Sequence, residues 1–496
     1  MLLGACGDDG GALNPTTTLS PTTLPSTTLP PTTLPPTTLP YDPSVPYWLQ
    51  GGFGPVSEEI EATELVVRGS LPSSLHGLYT RNGSNPSTGN SPHWFFGDGM
   101  VHGVRFEKGK AAWYGNRYIG TPMYADGREF GDFEGIPGFE ETQANVSVFA
   151  HGGRLLALGE VGWPYEIDPI DLSTIGATDL SGDEFSLGGN VTAHPKRDPA
   201  TGFLHFFGYG FTPPYLTYYV ASADGQELIH RTDIPVDAGT MVHDFAITDR
   251  DVIFWELPVL FDLGAAAAGA INPFAWDGDY GSRVGVMPLG GTGDEIRWVE
   301  IENGYVFHGT NAFRDGDRVV LDVSRMNSMF DEGSDLNDSL SFLTRWEIDT
   351  GGAELTWSAT RLSEIPLDLP EIDDRFTGRE HSVAWLVETN DTAEGNLEFN
   401  NLEFNGISAF DVASGVLDRW TPGPAVQPNE VTFVPESDSS GEGEGWLLTY
   451  VWDKATDSSA LAVLDATDVS AGPVATVELP QRVPFGFHGT WLAGEE

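Results

Sequence analysis

Apolar runs of strand length, broken every few residues by turn signals, set the terms on which this chain can fold. Arg318–Ser324 (RVVLDVS) and Trp446–Trp452 (WLLTYVW) are rich in β-branched and aromatic residues and too short for stable helices. Between such runs lie turn-forming clusters: Asp198–Gly202 (DPATG), Arg314–Asp317 (RDGD), Asp349–Gly352 (DTGG) and Asp411–Gly415 (DVASG). Glycine, at 60 of 496 residues, is abundant enough to supply a turn after almost every run. No Gly-rich strand-to-helix turn carries a nucleotide fingerprint. One alanine run, Gly264–Ala270, reads as a short helix in a loop capping the domain.

The polar residues embedded among these runs recur at a longer interval. His308, Asp368, Glu430 and His488 are separated by 60, 62 and 58 residues, and His308, His243 and His194 by 65 and 49. A period near sixty is too long for a hairpin and suits one four-stranded propeller blade with generous loops. Seven such blades fill the chain from residue 47 to residue 496. The inner strand of every blade lines the central axis, so residues about sixty apart in sequence can converge on one point.

Four of the eleven histidines stand out by their setting. His194 lies in VTAHP, His243 in MVHDF, His308 in YVFHGT and His488 in PFGFHGTW. An unpaired imidazole among apolar neighbours is costly, and a shared metal removes that cost for all four. Four neutral imidazoles without thiolate suit Fe, Zn, Cu or Ni. Carboxylates on the outer ring nitrogens would orient such ligands. Glu160 (LGEV), Asp368 (LDLP) and Glu430 (NEV) are candidates, although taken alone each reads as solvated surface.

Taken together, the motifs resemble the carotenoid cleavage oxygenases, a family that includes apocarotenoid oxygenases, stilbene-cleaving dioxygenases and a retinoid isomerase. The resemblance runs from about Gly77 to Trp491 through Gly77–Pro86 (GLYTRNGSNP), His93–Gly103 (HWFFGDGMVHG), Thr192–Pro195, His205–Tyr209 (HFFGY), Met241–Ala246, Glu371–Arg375 (EIDDR) and Val483–Trp491 (VPFGFHGTW). It implies an all-β, seven-bladed β-propeller with a loop and short-helix dome over an iron-bearing face. One Fe(II) per chain would be held by His194, His243, His308 and His488. Glu160, Asp368 and Glu430 would stand behind His243, His308 and His488 respectively. The family normally has Glu where this chain has Asp368, so His308 is reached either by an inward shift of the strand or through a water. His93 and His102 match the family segment but are read as structural.

The activity implied is cleavage of a conjugated C=C bond of a carotenoid or apocarotenoid with O2, giving carbonyl products. Two alternatives stand beside it: stilbene or phenylpropanoid cleavage within the same family, and an idle propeller acting as a binding module. Stilbene-cleaving members place a lysine shortly after a segment like Arg117-Tyr118-Ile119, whereas this chain has Met123 near that place and no lysine close by.

Residues 1–14 and 15–46 suggest a mode of attachment. The only cysteine, Cys6, sits in LGACG, which reads like the lipobox of a bacterial lipoprotein, without the apolar stretch of roughly 7–15 residues that an export signal carries. Residues 15–46 contain PTTLP-type repeats, whose prolines favour an extended stalk of roughly 3 Å per residue. The expectation is an exported lipoprotein of the cell envelope whose start lies upstream, or otherwise a cytoplasmic protein. Contact with a membrane would come through lipidated Cys6 or an apolar tunnel mouth. A formal net charge of −49 repels phosphate backbones and excludes nucleic acid as a natural partner; it reads as a solubility adaptation to salty surroundings.

Overall fold

The computed structural model describes residue 42 and residues 44–128, 138–182, 184–270, 272–331, 339–389 and 403–494. The lipobox and nearly all of the Thr/Pro-rich stalk lie outside the described residues. Within them, seven antiparallel sheets form the blades of a β-propeller. Most blades run in simple chain order from the axis outward. Tyr305–Asp315, Arg318–Met326, Phe342–Asp349 and Thr356–Arg361 make one of them.

This stacking explains the apolar runs. Middle strands are covered on both faces by neighbouring blades, so Leu204–Tyr209 and Asp251–Glu256 are buried along their whole length. The outermost strand Thr356–Arg361 reads TWSATR and is largely exposed. Indoles such as Trp255, Trp346 and Trp385 fill the wedges between blades.

The ring closes by joining its two ends. Gly489–Ala493 is the axial strand of the blade begun by Gly77–Ser84, pairing Arg81 with Gly489 and Gly77 with Ala493. Val67–Gly69 likewise adds to Pro473–Glu478 on the rim of the preceding blade. The segment leading into the closing strand crosses Gly77–Ser84 at van der Waals distance. A Cβ on Gly83 would lie 2.5 Å from the Gly486 Cα, so only glycine fits there.

Polar latches tie each inner strand to the next. Asp244 Oδ2 accepts from the Gly309 amide at 2.8 Å, Glu371 Oε1 from the Phe433 amide at 2.8 Å, and Glu430 Oε2 from the Gly489 amide at 2.9 Å. Asp244 also pairs with Lys196 at 2.8 Å. Axial strands have no sheet neighbour on their inner edge, and these carboxylates satisfy amides that would otherwise be orphaned in the interior.

Outside the blades, Val259–Phe261 pairs with Phe274–Trp276, and the connection between them carries the helix Leu263–Ala267. The Asp262 side chain caps it by accepting from the Ala265 amide. The alanine-rich segment is thus helical, over a shorter span than Gly264–Ala270.

Candidate metal centre

Each of the four singled-out histidines stands on or next to an axial strand. His194 precedes Lys196–Arg197, His243 precedes Ala246–Ile247, His308 lies within Tyr305–Asp315, and His488 precedes Gly489–Ala493. The propeller brings them together: one ring nitrogen from each lies within 4.8 Å of all the others. His194 Nε2 and His243 Nε2 are 2.9 Å apart. Two imidazole nitrogens facing each other at that distance need either a proton or a cation between them.

Three of the rings are fixed from behind. His243 Nδ1 lies 2.6 Å from Glu160 Oε2, His308 Nδ1 donates to Asp368 Oδ1 at 2.7 Å, and His488 Nδ1 donates to Glu430 Oε1 at 2.6 Å. An ionised carboxylate only accepts, so each of these contacts puts the proton on Nδ1 and leaves the Nε2 lone pair facing the centre. His194 has no carboxylate behind it; its strand is held instead by the Ser147 hydroxyl, which donates to the Ala193 carbonyl at 2.7 Å.

Asp368 reaches His308 without a water. Its strand, Leu367–Glu371, is irregular: pairing jumps from Asp368↔Val387 to Glu371↔Trp385, and Leu369 adopts φ +51°. This bulge sets the backbone from which the short side chain makes its direct contact with His308. Asp368 also accepts from the Leu369 amide and from the Ser341 hydroxyl, both at 2.8 Å. Ser341 has no sequence motif to mark it; Tyr209, whose hydroxyl donates to Glu160 Oε1 at 2.8 Å, ends the HFFGY segment of the family resemblance but has no role assigned by it.

The electrostatics keep most of this cluster ready for a cation. Burial, reinforced by the three neighbouring imidazoles, holds His194 well below its ordinary value. Burial also lowers His308, against the pull of Asp368. Burial would lower His243 too, but the Glu160 carboxylate overrides it and raises that ring. Asp368 is depressed because His308 and its hydrogen bonds outweigh desolvation. Imidazoles without thiolate, oriented by carboxylates and converging on one point, fit a first-row divalent ion.

Aromatic rings crowd one side of the cluster. Phe307 stands edge-on to His243 at 5.2 Å, and Phe95 lies 6.4 Å from Phe307 and 5.8 Å from Phe487, which packs on Trp94 at 4.7 Å. His93 accepts from the Phe95 amide through Nδ1 and so shapes the turn that carries these rings. His102 is buried against the Tyr114 hydroxyl, away from the four. A polar cavity of about 140 Å³ adjoins the cluster, lined by His194, His488, Glu430, Thr310, Lys196 and Glu371 among others.

Comparison with known proteins gives the chain its family. The sequence profile of the family described as "Retinal pigment epithelial membrane protein" matches residues 53–493. The chain is 36% identical to a carotenoid cleavage oxygenase of Mycobacterium tuberculosis, over 90% of this chain and 97% of that one. It is 33% identical to an isoeugenol monooxygenase of Pseudomonas nitroreducens, over 90% and 97%. The crystal structure of a Pseudomonas brassicacearum lignostilbene dioxygenase superposes with a TM-score of 0.83 at 30% identity, covering 92% of this chain and all of that one. The chain belongs to the carotenoid cleavage oxygenase family of β-propeller oxygenases.

Proposed function

We propose that this protein is an Fe(II)-dependent oxygenase that splits a conjugated C=C bond of a carotenoid or apocarotenoid into two carbonyls, with one iron per chain. The observation that carries the reading is the convergence of four imidazoles beside an aromatic wall. His194, His243, His308 and His488 would hold the metal, and Glu160, Asp368 and Glu430 would keep three of those rings aimed. When bound, a ferrous ion with only protein nitrogens as ligands supplies O2 activation at its open positions.

The rest of the work falls to the chain. Phe95, Phe307 and Phe487 offer flat apolar surface against which a polyene can lie, and they exclude water from the reacting bond. No side-chain acid or base is needed, since cleavage adds oxygen atoms across one double bond without net proton transfer. How far the polyene advances along this wall would select the bond that is cut.

Cleavage of a phenylpropanoid or stilbene is the second reading, favoured by the similarity to the isoeugenol and lignostilbene enzymes. Against it stands the Arg117–Met123 segment, which has no lysine to engage a phenol. We further propose that the protein is an envelope lipoprotein anchored through Cys6, which would keep the domain beside membranes that dissolve such polyenes.

Incubation of Fe(II)-loaded protein with carotenoids, apocarotenals and stilbenes, with mass spectrometry of the aldehydes, tests the assignment. Polyene-derived aldehydes are expected. Cleavage of phenolic stilbenes alone would replace the first reading by the second, and no cleavage by iron-replete protein would leave an idle propeller.

A further inference from the structure

Arg81 is the most deeply buried cation among the described residues, and no carboxylate touches it. It is 2% exposed, on the Gly77–Ser84 strand directly across from Gly489, the residue after His488. Its side chain makes one hydrogen bond, from Nη2 to the Pro484 carbonyl at 2.5 Å, while Nε and Nη1 meet no acceptor. The guanidinium lies 5.2 Å from the centre of the Tyr450 ring.

Other partly buried arginines of the blades are treated differently. Arg314 forks onto Asp251 at 2.6 Å through both nitrogens, and Arg345 onto Asp322 at 2.8 Å. Arg419 forks onto Glu388 in the same way. A guanidinium withdrawn from water without a partner is strongly unfavourable, so something must offset Arg81. The carboxylate linked to it through the sheet is Glu430, which accepts from the amide of Gly489, the residue that pairs with Arg81. Both Glu430 oxygens are already committed, one to His488 and one to the Gly489 amide.

Charge counting explains why a cation belongs there. A divalent ion brings two positive charges and Glu160, Asp368 and Glu430 three negative ones; Lys196 and Asp244 cancel as an ion pair, and burial pushes the Glu371 carboxyl up toward its neutral form, leaving the buried centre one unit negative. Arg81 returns it to zero.

We propose that Arg81 is the counter-charge of the metal centre: seated one strand from His488, it neutralises the three-carboxylate shell and disfavours loss of an electron from the ferrous ion. The inference rests on the Fe(II) reading above. With Arg81 in place, ferric iron leaves the buried centre one unit positive; without it, the ferric centre is the neutral one. Solvated surface acids are screened and cannot replace a buried charge at this range. The backbone pairing with Gly489 and the contact with Pro484 hold the guanidinium where it acts, whatever the rest of the acidic surface does.

Redox titration of the iron-loaded protein tests this, with mediators taking up the one electron that each iron gives and the ferric form read by electron paramagnetic resonance. Arg81→Met should shift the ferric-to-ferrous ratio at fixed potential about tenfold toward ferric, the size of one unit charge acting at moderate range through protein. Arg81→Lys, which keeps the charge and loses the fork, should stay near wild type.

An unchanged ratio in Arg81→Met overturns the proposal, and so does a tenfold ferric shift in Arg81→Lys, which stands as the test if the Met variant does not fold. Crystals grown in bromide give an independent check. An anomalous peak against Nε or Nη1 would show that Arg81 already has its own anion. Wild-type protein that takes up no iron would sink the Fe(II) reading itself, a result distinct from any of these.

Discussion

The carboxylate of Asp368 lies 2.7 Å from the outer nitrogen of His308, a direct contact made by a side chain one methylene shorter than the glutamate usual in the family. The bulge at Leu369 and the Ser341 hydroxyl give the aspartate its place. Asp368→Ala would leave the His308 Nδ1 and the Ser341 hydroxyl facing nothing. Iron affinity should fall by about 10–100-fold, measured by competition with a chelator. Asp368→Glu must fit an added methylene into a buried site whose partners the aspartate already meets directly, so it should weaken binding too, by less than the alanine variant.

His308→Ala and His488→Ala each remove one ring and strand a buried carboxylate. Metal content and activity should be lost together. Full iron occupancy in either variant, read by elemental analysis, would remove that histidine from the ligand set.

Tyr209→Phe deletes the hydrogen bond to Glu160 Oε1 without touching any ring of the cluster. A hydrogen bond to a charged group contributes about 1.5–3 kcal/mol, only part of which would reach the metal. A loss of roughly 3–10-fold in iron affinity is expected, smaller than for Glu160→Ala. Equal losses in the two variants would show that Tyr209 does more than support Glu160.

Much of this centre could be read from the sequence because each histidine sits in a short, distinctive apolar context next to an axial strand. Glu160, Asp368 and Glu430 were legible only through the family pattern, since nothing local tells a carboxylate at a strand end from a solvated one. Ser341 was not singled out at all, and Tyr209 and Arg81 only as members of the HFFGY and GLYTRNGSNP segments, without a role. Their roles come from contacts across 27, 49 and about 400 residues, and no local pattern encodes a partner on another blade. The blade period was visible, but the pairing of Gly77–Ser84 with Gly489–Ala493 was not, because two strand-like segments carry no mark of which edge each will meet. The direct contact made by Asp368 depended on a backbone irregularity that strand propensity does not foresee.

Asp244→Ala should destabilise the fold more than the site. It strips the Gly309 amide of its acceptor and leaves Lys196 without its partner. Breaking a buried pair of this kind costs about 3–5 kcal/mol, to be measured by urea denaturation of the metal-free protein. A change below about 1 kcal/mol would mean that water substitutes for the latch.

Stability should also fall on mild acidification. Burial holds His93 and His205 neutral, each lowered from 6.5 to about 4. The unfolded chain therefore binds protons that the native one refuses. Their contribution is complete above pH 6.5, declines as pH falls toward 4 and is flat below that, apart from the carboxylates. The combined loss is on the order of a few kcal/mol. Denaturation midpoints that do not move between pH 7 and pH 4.5 would show that these rings are hydrated in solution.

The closing strand has a consequence for synthesis. His488 enters on the segment leading into Gly489–Ala493, the last strand of the ring to leave the ribosome, and its partner strand Gly77–Ser84 was made some four hundred residues earlier. Until that late strand arrives, the nascent chain holds three imidazoles on an open arc, with the blade begun by Gly77–Ser84 lacking its axial strand. The full four-imidazole set is thereby reserved for chains translated through to the closing strand. A ribosome that stalls within the last blade would yield a product lacking the fourth imidazole, which should hold a metal less tightly than the closed ring.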